Sequence, residues 1–131
     1  MGRAKSYDEQ QVLQTLATEF SQSGFEGTSI DQIAKATGMK RGSIYQAFDS
    51  KANLFRLALR NTLKVSEDDG LLADLLFVGL WERANIDPDV RSTSEEAIAR
   101  LERNTGKPIA EVLTQRLFLR AGIQYVPNNE I

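Results

Sequence analysis

Apolar residues recur along this chain at spacings of three and four, the period of a helix with one face turned to a core. Val12, Leu13, Leu16, Ala17 and Phe20 form the first stripe. Ser6 and Glu9 make a capping box ahead of it, and Gly24 predicts its end. A shorter set follows in Ile30, Ile33 and Ala34. Thr28 is its expected N-cap, Asp31 closes a box-like start three residues on, and Gly38 can take the positive φ of a turn. Ile44 and Phe48 then share one face of a third helix over residues 40–47. Its other faces carry Lys40, Arg41, Ser43, Tyr45 and Gln46, and Gly42 adds a position without a side chain. Ser50 caps a longer helix bearing Leu54, Phe55, Ala58, Leu59, Thr62 and Leu63, which ends near Val65.

The second half continues the pattern. Ser66-Glu67-Asp68-Asp69 puts carboxylates where a helix N-terminus favours them. Leu71, Leu72, Leu75, Leu76, Leu80 and Trp81 follow at helical recurrence, and Asp87-Pro88 predicts a stop. The next expected helix runs from Glu95 to Arg103, with Ile98 and Leu101 inward and Gly106 as its end. Pro108 opens a last helix that reaches Gly122, and QYVPNNEI reads as a loose tail. No strand signal competes with this, so the expected architecture is all-α.

Composition narrows the chemistry. The 131 residues hold no cysteine and no histidine. That removes disulfides, thiol chemistry, Ser–His and Cys–His machinery and ordinary structural zinc. The remaining carboxylates, lysines and hydroxyls form no recognisable catalytic set, so neither enzymatic activity nor a metal or cofactor is expected. No apolar run is long enough for a bilayer, and MGRAKSYDEQ lacks an export-signal core, which points to the cytoplasm. Charge is unevenly spread. Residues 1–64 hold nine Lys/Arg against six Asp/Glu, a net +3, and residues 65–131 hold seven against twelve, a net −5. A basic front on an acidic rear suits a chain that meets a polyanion through one end.

Two short helices joined by a tight turn make a helix-turn-helix, whose second helix enters the DNA major groove. A helix of residues 40–47 cannot stand alone, since nucleation is costly. It persists only if Ile44 and Phe48 dock on neighbours, which leaves two cations and several donors facing out. The stretch GFEGTSIDQIAKATGMKRGSIYQAFDSKANLF closely resembles the DNA-binding segment of TetR-type transcriptional repressors. Gly24, Thr28, Ile33-Ala34, Gly38, Ser43, Tyr45, Phe48, Lys51 and Leu54-Phe55 carry the likeness, which covers residues 7–63.

The resemblance implies a three-helix head over residues 1–49. Over residues 50–131 it implies a connector helix and a helical dimerisation or regulatory body, reduced to about three helices where the family usually has five or six beyond the connector. It implies double-stranded DNA as partner, a homodimer on a palindromic operator and, in a usual body, a small-molecule effector. On this basis Arg41 is the expected guanine reader and Gln46 the adenine reader. Tyr45 holds a phosphate, and Gly42 and Ser43 face the duplex. Thr28, Lys40 and Lys51 are the expected contacts to backbone phosphates. Arg3 and Lys5 precede the first helix as an arm toward the duplex or as a solvated terminus. Leu72, Leu76, Leu80 and Trp81 are expected either to wall a ligand pocket or to form core plus the interface with a second copy, the latter favoured, and Leu113, Leu117 and Phe118 fit the same role. The alternative is a shortened interaction protein that dimerises with relatives and senses no ligand.

Overall fold

A computed structural model describes residues 7–128. These form α1 (Glu9–Ser23), α2 (Ile30–Thr37), α3 (Arg41–Phe48), α4 (Lys51–Val65), α5 (Asp69–Val78), a π turn (Gly79–Arg83), α6 (Pro88–Thr105) and α7 (Ile109–Ala121). The chain is all-helical, with no strand among the described residues. Among the described residues, three α-helices follow α4.

Asp8, not Ser6, caps α1, its carboxylate accepting from the Gln10 and Gln11 N–H groups. Ser6 lies outside the described residues, as do Arg3 and Lys5. The α1 stripe packs on α4 and α5 as its spacing demands, with Leu16, Ala17 and Phe20 fully buried. Three aromatic rings sit where head and body meet. Phe55 of α4 stands edge-on to Phe20 at 5.2 Å and to Phe25 at 5.8 Å, both favourable ring geometries. One hydrophobic core therefore runs from Val12 through to Val112.

Proline marks the break after α5 as expected, but it starts the next helix at once. Pro88 occupies the first turn of α6, where its missing N–H costs nothing, and Asp87 is the N-cap. The helix thus begins at Pro88 rather than Glu95. Its inner face includes Thr93 and Ser94 among Val90, Ala97 and Leu101, so the apolar period is interrupted and its first two turns escape sequence reading.

The inner stripe of α5 is Leu72, Leu75, Leu76 and then Gly79, which opens the π turn. The Ala84 N–H bonds to the Gly79 carbonyl at 2.8 Å. A Cβ on Gly79 would stand 3.3 Å from Val90 Cγ1, so glycine is what lets this turn lie against α6 and Phe55. Arg100 ties three helices together. Its guanidinium donates to the Leu63 carbonyl at 2.6 Å, the Ser66 carbonyl at 2.7 Å and Asp69 Oδ1 at 2.9 Å. The open end of α4 and the start of α5 are thereby fixed against α6.

Candidate nucleic-acid interface

The turn before α2 is built from inside the head. Ser29, not Thr28, is the N-cap, accepting from the Gln32 N–H at 3.0 Å. Thr28 is fully buried, and its hydroxyl donates to the Gly24 carbonyl at 2.6 Å. That corrects the expectation of a phosphate contact there, because the hydroxyl has no outward path. Lys51 is half-buried. Its Nζ donates to the Thr28 carbonyl at 3.1 Å and lies 4.6 Å from the Phe25 ring centre, so this cation first serves the loop of residues 24–29.

Gly38 turns the chain in the left-handed region (φ 75°, ψ 5°), as its position predicts. Lys40 then caps α3 in an extended conformation with no side-chain bond, and α3 has no acidic residue in its first turn. The first N–H groups of α3 are therefore open, at the positive pole of the helix. Ile44 and Phe48 are buried, with Phe48 against the Tyr7 ring at 6.1 Å. That docking turns Arg41, Gly42, Ser43, Tyr45, Gln46 and Ala47 outward, all exposed. Tyr45 shows 43% of its surface. A Cβ on Gly42 would meet nothing within 4 Å, so no internal contact demands glycine there.

Arg41 is not free in solution. Its Nη1 donates to Asp31 Oδ1 of α2 at 2.5 Å. That hydrogen bond, together with the charge of the carboxylate, raises the guanidinium pKa above its ordinary value. Beyond α3, Asp49 takes φ 76° and ψ −55° while the Ser50 N–H bonds to the Phe48 carbonyl. This is a strained γ-turn that lets α4 start immediately.

Residues 12–58 match the family described as "Bacterial regulatory proteins, tetR family". Over these residues the chain is similar to the TetR-family head. The biofilm operon icaADBC HTH-type negative transcriptional regulator IcaR of Staphylococcus aureus (strain Newman) is 35% identical over 49 residues, which are 37% of this chain and 26% of that protein. IcaR of Staphylococcus epidermidis (strain ATCC 35984) is 32% identical over 50 residues, covering 38% and 27%. The matched segment thus spans about a quarter of the length of these relatives. No solved structure matches.

The TetR-type head is held to the body by contacts that sequence spacing does not reveal. Glu82 of the π turn accepts from the Phe25 N–H at 2.9 Å and the Glu26 N–H at 3.0 Å, one oxygen to each. The Arg83 guanidinium lies 4.3 Å from the Phe25 ring centre. Arg120 of α7 donates to the Ser21 and Gln22 carbonyls at the end of α1, which has no basic residue in its own last turn. Asp87 joins α4 to α6 through Arg56 Nε at 2.7 Å. Burial pushes the Asp87 carboxyl up, but the Arg56 hydrogen bond and charge and the Val90 and Asp89 N–H groups outweigh it and hold it below its ordinary range.

The expected core-and-interface stripe divides into buried and exposed members. Leu72 and Leu76 are fully buried in the chain's own core and cannot meet a second copy. Leu113 and Phe118 are half-buried, whereas Leu80, Leu117 and Trp81 stand exposed, Trp81 at 79%. Phe77 stacks on Trp81 at 6.4 Å. Beside them a groove of about 260 Å³ is lined by Phe77, Val78, Leu113 and Leu117. Over its described part the tail has no regular structure and is exposed, with one ring contact, Tyr125 on Phe118 at 4.8 Å. Among the described residues, no helix is long and apolar enough to cross a membrane.

Proposed function

We propose that this chain is a sequence-specific DNA-binding transcriptional regulator, a cytoplasmic repressor that binds a palindromic operator as a homodimer. The observation that carries the reading is α3. It is a short helix docked by Ile44 and Phe48, with its N-terminus open and Arg41, Ser43, Tyr45 and Gln46 exposed on a TetR-type head. The relatives that share this head are named as negative transcriptional regulators, which supports repression. In this reading Arg41 and Gln46 read base edges, Tyr45 and Lys40 hold phosphates, and Gly42 lets the backbone approach closely.

One head contacts too little duplex to be specific alone. Leu80, Trp81 and Leu117 supply the apolar face for a second copy, setting two heads about 34–36 Å apart, one helical turn of DNA. Residues 1–49 then act as the reading head and residues 50–131 as connector and dimerisation body. The chain catalyses nothing and needs no cofactor. A small-molecule effector seated in the groove beside Phe77 and Leu117 would press on Glu82 and Arg120, which also line it and hold the head.

Selection of bound duplexes from a random pool tests this. The expected product is a palindrome whose binding weakens steeply with salt as counterions are released. Half-sites without two-fold symmetry, or no enrichment, would overturn it. The exposed body face also supports the second reading, a shortened interaction protein. Mixed dimers with a full-length relative that lack duplex affinity would favour that alternative.

A further inference from the structure

We infer that Asp31 aims Arg41, and through it sets the base preference of α3. This rests on reading α3 as the helix that enters the major groove. Arg41 opens α3, where a cation meets the positive pole of its own helix and finds no acidic residue in that first turn. Left alone, so long a side chain would sample many rotamers at the groove. Asp31 lies across the turn in the first turn of α2, whose own positive pole favours a carboxylate and whose start is fixed by the Ser29 cap. The two residues are ten apart in sequence and meet only because Gly38 folds α3 back across α2.

The contact geometry leaves the reading edge free. One carboxylate oxygen takes one Nη1 hydrogen at 2.5 Å. The Nη2 and Nε hydrogens keep the planar fork that matches O6 and N7 of guanine. Holding the guanidinium in one orientation before binding removes part of the ordering cost, and that gain goes only to the base the fork then faces. The pair contributes little to folding, since its side chains are 56% and 75% exposed and solvent screens them. The same exposure places a carboxylate near the phosphates, where it opposes binding to every duplex alike. Asp31 therefore lowers indiscriminate affinity while sharpening discrimination.

The test compares the native chain with Asp31→Asn, Asp31→Glu, Arg41→Ala and the double variant Asp31→Asn/Arg41→Ala. Each is taken through random-pool duplex selection, followed by competition at the enriched site. Circular dichroism should show all five equally folded. Asp31→Asn should bind unrelated duplex about 3-fold tighter, having lost one repulsive charge. Its preference at the base pair read by Arg41 should fall about 10-fold. Asp31→Glu should restore most of that preference. In the Arg41→Ala background, Asp31→Asn should change affinity and leave base preference unaltered. A uniform gain in affinity with the native preference intact in Asp31→Asn would overturn the inference while leaving the regulator reading standing. A native chain that enriches no duplex would overturn that reading and this inference with it.

Discussion

The two ends of this molecule present opposite surfaces to water. In the head, the single large apolar side chain that is exposed among the described residues is Tyr45, and it carries a hydroxyl. In the body, Phe77, Leu80, Trp81, Ile86, Leu117 and Leu119 all stand exposed. The net charge changes sign further along, at the end of α4: +3 before residue 65, with four of the cations on α4 itself, and −5 from there on. A surface of donors and cations suits a polyanion, whereas a cluster of exposed rings and leucines suits another apolar face. Yet both surfaces rest on one core, whose midpoint is the Phe20–Phe25–Phe55 cluster. Outward specialisation has not required separate interiors, and Glu82, Arg83 and Arg120 bind the head to the part that differs from it most.

The largest expected effect attacks the shared core. Phe55→Ala should cost about 3–5 kcal/mol, because it empties a fully buried site between head and body. Urea unfolding should show head and body weakened together in one transition. A variant whose body melts while the head stays folded would mean two cores instead of one.

Next in size is the body face. Trp81→Ser with Leu117→Ser should leave the fold intact and abolish self-association in analytical ultracentrifugation. Operator affinity should fall on the order of 100-fold, as paired heads lose their effective concentration. Equal self-association by the variant would place the partner surface elsewhere.

Asp87 gives a smaller, pH-dependent effect. Its carboxyl is held below its ordinary range in the fold, so it stabilises the native state above the unfolded value of about 4. That contribution is lost as pH falls through the lower native value. Asp87→Asn should cost about 1–2 kcal/mol at neutral pH, leaving Arg56 without its anion, and the gap should close on acidification. Thermal melts of both proteins across pH 2–7 check the sign.

The smallest effect separates folding from recognition in the head. Gly42→Ala should stabilise α3 by about 0.5 kcal/mol, since a Cβ meets nothing there. Duplex affinity should fall nonetheless, as measured by anisotropy, if the missing side chain serves close approach. Unchanged affinity would remove Gly42 from the interface.

Short-range features were readable from sequence, and long-range ones were not. Ile44, Phe48 and Gly38 declared α3 and its inner face because a four-residue repeat and a turn glycine are local signals. The cap of α2 was displaced by one position, since Thr28 and Ser29 are both good caps and only tertiary burial took Thr28 inward. Leu72 and Leu76 are core, as half of their expectation had it, but sequence could not separate them from the exposed Leu80 and Trp81. A stripe that fills a monomer's core has the same period as one that pairs copies. The Asp31–Arg41 contact and the Glu82 bonds to residues 25 and 26 left no signal, because spacing says nothing of partners brought together by folding. The γ-turn at Asp49 was equally silent, as aspartate tolerates a positive φ but does not by itself specify one.

The claim on which the account turns is that the outward face of α3 is the surface that meets DNA. Backbone amide chemical shifts followed while the selected duplex is titrated into the full chain test it most directly. The account predicts the largest changes at Lys40 to Ala47, with the amides around Leu80, Trp81 and Leu117 nearly unmoved. Changes concentrated on the body, with α3 silent at saturating duplex, would contradict it.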